Sequence, residues 1–192
     1  MRQPLSRASI ADAARTILVN EGLQGVSLRK VAAGLGVTAP ALYAHVIDKR
    51  DLLQTIAEQE LQVLLKRFQE ADLADPLDRA VTQARSYADW AAENPAVFRA
   101  LFMFRPELTA ESVGDEPPLS QRILDRFRET MREADFSPTT ADSAAETLYA
   151  AVHGAIIVRL AGPAASDNSR LVDDVVSAVM AGLRRGDPVA TG

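Results

Sequence analysis

The segment of residues 27–49, S-L-R-K-V-A-A-G-L-G-V-T-A-P-A-L-Y-A-H-V-I-D-K, forces the chain to reverse between short helices. Leu28, Val31, Ala32 and Leu35 recur at helical spacing, and Ser27 precedes them as an N-cap whose hydroxyl satisfies first-turn N–H groups. Gly36 follows where the chain must turn, because a left-handed backbone carries no Cβ penalty at glycine. Ala32, four residues earlier, is small enough for the next helix to approach closely. Thr38 or Ala39 caps that helix, and Pro40 fits its first turn, where N–H groups have no intrahelical partner. This third helix is read over about residues 39–46. Asp48 opens a fourth helix, with Asp51 three positions on as a weaker capping box. Leu53, Ile56, Ala57, Leu61, Leu64 and Phe68 then form its buried stripe. A supporting helix, a glycine turn and a short proline-led helix are the wiring of a helix-turn-helix DNA reader.

The rest of the chain carries the same helical period. Ile10, Ala13, Ala14, Ile17 and Leu18 trace a first helix that ends at Gly22. Asp75-Pro76 starts a helix through Glu93, and Asn94-Pro95 starts a short one to about Phe104. Residues 105–118 are acidic, proline-bearing and aperiodic, which reads as a surface loop. Helices are predicted over 119–133, from Ser137-Pro138 to Gly162-Pro163, and from Asn168 to Arg185. The fold class is therefore all-α, about nine helices with no strand. Residues 1–52 are expected to form the helix-turn-helix domain, and residues 53–192 a helical body.

The 192 residues suffice to bury a core without staples. Zero cysteines exclude disulfides, thiolate nucleophiles and cysteine metal sites. No run of 18 uncharged apolar residues occurs, and the N-terminus lacks the apolar core of a secretory signal, so a cytoplasmic chain with no membrane partner is expected. The net charge of -5 is unevenly spread: residues 1–55 hold seven basic groups against four acidic ones, net +3, and the remainder carries -8. A basic module on an acidic body suits a polyanion partner at one end.

A helix entering the major groove needs small or hydrogen-bonding residues outward and phosphate contacts at its flanks. With Leu42 turned to the core, Thr38, Ala39, Pro40, Tyr43, Ala44 and His45 remain available to DNA. Tyr43 can donate to a phosphate, Lys49 adds charge near the start of the fourth helix, and Arg29 and Lys30 flank the supporting helix. Ala39 and Ala44 offer only methyl contacts, so readout leans on Thr38, His45, thymine methyls and DNA shape.

These residues closely resemble the N-terminal domain of tetracycline-repressor-like (TetR family) transcriptional regulators, over roughly residues 8–56. By that resemblance Arg29, Thr38, Ala39, Pro40, Tyr43, Ala44, His45 and Lys49 fall on DNA-contacting positions; Ala44 departs from the bulkier residues often found there. Y-A-A-V-H-G at 149–154 looks like the Trp-His-Gly signature of one C-terminal subgroup, with Tyr149 in place of its Trp. The resemblance implies a bacterial repressor that binds a palindromic operator as a homodimer and is released by a small-molecule effector. It also implies an all-helical C-terminal domain that dimerises through its last two long helices and holds a small-molecule cavity. Val152, Ile156, Val172, Val175, Val176, Val179 and Leu183 supply apolar faces for the dimer. Tyr87, Trp90, Phe98, Phe102, Phe127, Met131, Tyr149 and His153 supply a pocket wall for a small hydrophobic effector; ordinary core packing explains the same list.

Two other classes compete. A helical-bundle enzyme would draw on carboxylates such as Glu93, Glu107 or Glu146 with His153, but no HExxH pattern, glycine-rich phosphate loop or G-x-S-x-G elbow is present, and two histidines without cysteine disfavour a zinc site. Neither a metal nor a cofactor is expected. A ligand-independent architectural DNA binder is the other alternative.

Overall fold

The computed structural model describes residues 5–71, 73–104, 117–162 and 170–185. The loop expected at 105–118 falls almost wholly outside the described residues, as do Pro163, Asn168 and the C-terminal tail. Among the described residues the chain is helical throughout: α1 Arg7–Gly25, α2 Leu28–Leu35, α3 Ala39–Leu42, α4 Lys49–Glu70, α5 Pro76–Glu93, α6 Pro95–Phe98, α7 Leu119–Arg132, α8 Pro138–Ala161 and α9 Leu171–Arg184. A π-helical stretch, Arg99–Phe104, prolongs α6.

Local chemistry explains the boundaries. Ser6 caps α1 in a reciprocal box with Ser9, and Ser27 accepts from the Lys30 N–H at 3.3 Å to cap α2. Gly22 has φ 72° and ψ -179°, a backbone region open only to glycine, so the regular part of α1 does break there, as expected, before a last turn resumes to Gly25. Gly36 closes α2 at φ 66°, ψ 32°, and its N–H bonds back to Ala32 and Ala33. At α4, Asp48 Oδ1 accepts from the Asp51 N–H at 2.8 Å, and the Asp51 carboxylate reaches back to the Ile47 N–H rather than that of Asp48. Asp75 caps α5 in the same way, accepting from the Asp78 N–H at 2.8 Å.

The described residues gather into two compact units. The first comprises residues up to Val63 with Asn94–Leu119; the second comprises Leu64–Glu93 and residues from Ser120 onward. The division expected between residues 52 and 53 falls inside α4, whose buried stripe continues unbroken, and the chain changes unit at Val63/Leu64. In the first unit Ile10, Ala14, Leu18, Val31, Leu42, Val46, Leu53 and Ile56 are almost wholly buried, and Val97 and Leu101 join that core. Arg15 reaches from α1 to Glu60 at 2.5 Å and to the Asn94 amide oxygen, so a charge pair on the core's edge ties three helices. In the second unit α8 packs against α5 and, most extensively, against α9. Arg85–Asp173 at 2.9 Å and Arg184–Asp78 at 2.5 Å cross between α5 and α9; at this exposure each contributes of order 0.2–1 kcal/mol.

Candidate nucleic-acid interface

The glycine turn sets the geometry of the first unit's outward surface. Because Gly36 turns the chain left-handed and Val37 N–H bonds back to Ala32 at 3.0 Å, α3 leaves α2 with Leu42 fully buried. The residues around that anchor are turned out: Thr38, Pro40 and Ala44 are exposed, Ala39 and His45 are half-buried, and Tyr43 is 59% exposed. Arg29 is exposed on α2, and Lys30 pairs with Glu21. The helix itself is shorter than expected, four residues rather than about eight. From Tyr43 the chain continues as a hydrogen-bonded turn, His45 N–H to Leu42 O at 2.8 Å and Val46 N–H to the same oxygen at 2.9 Å, because Val46 is drawn into the core ahead of the α4 cap.

Lys49 differs from the sequence reading. Its Nζ donates to the Leu23 carbonyl at 2.9 Å, and the residue is half-buried. A cation there satisfies a carbonyl at the negative end of α1, so Lys49 must give up that bond to reach a phosphate. Sequence reasoning missed Arg7, whose guanidinium bonds His45, Asp51 and Thr55. No local pattern could have found it, since its partners lie 38 to 48 residues away. That hydrogen bond from Arg7 is the main cause holding the Asp51 carboxyl below the usual carboxylate range.

The aromatic list divides between the units. Phe98 and Phe102 lie in the first, with ring centres 4.8 Å apart. Tyr87, Trp90, Phe127, Met131, Tyr149 and His153 lie in the second, where Tyr87 stacks near-parallel with Trp90, Tyr149 and His153 at 6.1–6.2 Å. Tyr87, Trp90, Phe127 and Met131 are at most 2% exposed. These rings fill one another's space. The Tyr87 hydroxyl and His153 Nδ1 are hydrogen-bonded at 2.8 Å. Burial pushes the Tyr87 phenol far up and the Tyr149 phenol up to about 12, and it pushes the His153 imidazole down, so all three are held neutral at pH 7. A separate cleft of about 180 Å³ lies elsewhere in this unit, lined by Phe68, Arg79, Gln83, Arg126 and Thr130 among others.

The apolar faces expected at a dimer divide by their burial within the single chain. Val152, Ile156, Val172, Val176 and Leu183 are at most 6% exposed within the chain itself, so they form its own core; Val175 and Val179 remain half-exposed. The surface left on α8 is a row of small and aliphatic residues at helical spacing: Ala150, Gly154, Ile157, Val158 and Ala161, with Val158 52% exposed. Val175, Ala178, Val179 and Gly182 continue it on α9. Since its two sides are both apolar, α8 has the length and mean hydropathy, 1.2, of a membrane-crossing segment, with a third of that window buried in the chain. Among the described residues, no group of His, Asp and Glu has the arrangement of a metal site.

A buried glycine-turned helix pair that presents a proline-led third helix, on an all-helical body, defines a helix-turn-helix DNA-binding protein. The profile of bacterial regulatory proteins, tetR family, matches residues 10–56, and that of the tetracyclin repressor-like C-terminal domain matches residues 80–183. An uncharacterized HTH-type transcriptional regulator of Mycobacterium tuberculosis, Rv0681, is 26% identical over 188 residues, spanning 94% of this chain and 83% of its own length. The class D tetracycline repressor of Escherichia coli is 44% identical over 57 residues, 30% of this chain and 26% of the repressor. A TetR variant from Acinetobacter baumannii AYE, solved in complex with minocycline, has the same fold: TM-score 0.69 over 95% of this chain and 98% of that one, at 22% identity. The chain belongs to the tetR family and is a DNA-binding transcriptional regulator.

Proposed function

We propose that the protein is a repressor that binds a palindromic operator as a homodimer in the cytoplasm and is released by a small-molecule effector. The observation that carries this reading is the exposure of Thr38, Pro40, Tyr43 and Ala44 around a fully buried Leu42, with Arg29 exposed on the supporting helix. Tyr43 and Arg29 grip phosphates, Lys49 joins them after leaving Leu23, and Thr38, Ala39, Pro40, Ala44 and His45 meet base edges. The outward row on α8 and α9 supports pairing. A Cβ added at Gly154 or Gly182 would meet nothing within 4 Å, so neither glycine is needed for packing inside the chain, and both suit the close approach of a second copy. Two copies double the contacts and place two recognition helices on half-sites roughly 34 Å apart or a multiple of that.

The effector binds in the second unit. Three neutral polar groups, on Tyr87, Tyr149 and His153, sit in an otherwise apolar wall, and they are the kind of few convergent contacts that orient a hydrophobic ligand. The relative from Acinetobacter baumannii holds minocycline, which supports a small-molecule effector here. Because the wall is closed, ligand entry requires the rings to separate, and that displacement shifts the population of α4, which runs from the first unit into the second. A coupling of about 1–3 kcal/mol changes operator affinity roughly 5- to 150-fold. The chain acts by binding, not by turnover.

The test is selection of duplexes from a random pool by the purified protein, followed by sedimentation of the selected complex. Two chains on a duplex with inverted half-sites are expected. Selection of no sequence, or one chain per duplex, sinks the reading. Thermal-shift screening of hydrophobic compounds then separates an effector-responsive repressor from an architectural binder.

A further inference from the structure

At four residues, α3 cannot hold its own orientation, because a helix that short has barely completed its nucleus and depends on tertiary ties. Leu42 and Val46 supply one tie, into the core. A pair of aliphatic anchors resists withdrawal but not rocking about the line that joins them. The other tie comes from the start of α1. Arg7 Nη1 donates to the His45 carbonyl at 2.5 Å, and its Nη2 donates to Asp51 Oδ1 and to Thr55 Oγ1, each at 2.7 Å. Asp51 in turn accepts the Ile47 N–H at 2.8 Å, and Thr55 donates to the Asp51 carbonyl at 2.8 Å. One planar guanidinium therefore joins three helices of the first unit: its own, the exit of α3, and the first two turns of α4.

The planar fork matters. Three acceptors in different directions are met by one rigid set of donors, which a lysine ammonium on a flexible stem does not reproduce. The cation also sits at the carbonyl end of the recognition segment, where positive charge is favoured. Thr55 is 7% exposed and the Asp51 side chain 21%, so the network is sheltered on its α4 side.

We propose that Arg7 is a positioning residue for operator recognition, a clamp that fixes the angle of the segment from Ala39 to Ile47 against α4, rather than a phosphate contact. This rests on the reading that this segment enters the major groove. Its consequence is a split between two kinds of binding. Base readout depends on angle, and loses affinity when the segment rocks. Non-specific binding depends on charge count, and does not.

Arg7→Ala, Arg7→Lys and Asp51→Asn are compared with wild type on the selected duplex and on a random duplex of equal length, over a series of salt concentrations. Arg7→Ala should bind the selected duplex about tenfold more weakly and the random duplex within about twofold, with an unchanged slope of log affinity against log salt. Arg7→Lys should fall between. Asp51→Asn should also narrow the specificity ratio, although it removes an acid and would strengthen binding if charge alone mattered; should Arg7→Ala not fold, this variant carries the test. Equal losses on both duplexes, with the slope reduced by about one, would make Arg7 a phosphate contact and overturn the clamp. In the DNA-free protein, amide exchange at His45, Val46 and Ile47 should quicken in Arg7→Ala relative to mid-α4. Unchanged exchange there removes the clamp alone, whereas wild-type protein that selects no duplex removes the reading beneath it as well.

Discussion

Replacing Trp90 with alanine distinguishes a closed aromatic core from a standing pocket. Trp90 is 2% exposed and stacks on Tyr87 with 17° between the rings. An indole of this kind buries of order 200 Å², of which the truncation forfeits roughly 150 Å², or about 4 kcal/mol at about 25 cal/mol per Å². That agrees with the roughly 3–5 kcal/mol measured for such truncations elsewhere. For a chain of this length each kcal/mol shifts Tm by about 2–4 °C, so a fall of roughly 6–20 °C is expected in a circular-dichroism melt. The vacated volume has the shape of indole and an apolar lining, and such cavities bind small aromatics. Free indole at about ten times its dissociation constant should return about 1.4 kcal/mol to Trp90→Ala and nothing to wild type. A loss below about 1 kcal/mol, or equal stabilisation of wild type by indole, would refute the argument that these rings fill their own space.

Three further outcomes are expected. Tyr43→Phe removes only the hydroxyl of a residue that is 59% exposed, so fold stability should hold while affinity for every duplex drops about tenfold or less; a loss confined to one base position, read in a binding titration across variant sites, would contradict phosphate contact. Gly154→Leu points a side chain into open space in the single chain, so helicity should persist while light scattering reports half the mass; a persisting dimer would remove α8 from the interface. His153 has its pKa lowered from 6.5 by burial, so the folded state binds its proton more weakly than the unfolded one. Its contribution to stability is full above pH 6.5 and falls as the pH drops through that value, with a slope of at most about 1.4 kcal/mol per pH unit. Melts of wild type and His153→Asn between pH 7.5 and 5.5 should diverge in slope, and parallel curves would show that His153 protonates freely in the folded protein.

The sequence was most legible where structure is set by neighbours along the chain. Ser27, Gly36, Asp48 and Asp75 each act within four residues, through a cap or a left-handed turn, and the helices they bound were readable to within a few positions for that reason. The same locality made the DNA-facing segment readable, since Leu42 is buried by its own period and its neighbours are thereby turned outward. The class of protein follows from this stretch alone.

Tertiary structure decided what depends on which sector of a helix meets which partner. The apolar arcs of α8 and α9 are wider than one contact needs, and periodicity does not say which part faces inward; packing among α5, α8 and α9 took Val152, Ile156, Val172 and Val176, and left Gly154, Val158 and Ala178 outside. The aromatic list was visible as a concentration, but its mutual stacking and its division between two units depend on the fold. Arg7 lies close to His45 only because α1 and α4 are brought side by side, and Lys49 turns inward only because the end of α1 presents a carbonyl. Caps and turns are short-range hydrogen bonds written into adjacent residues, whereas the choice of buried face and of distant ionic partner is made by the whole core at once.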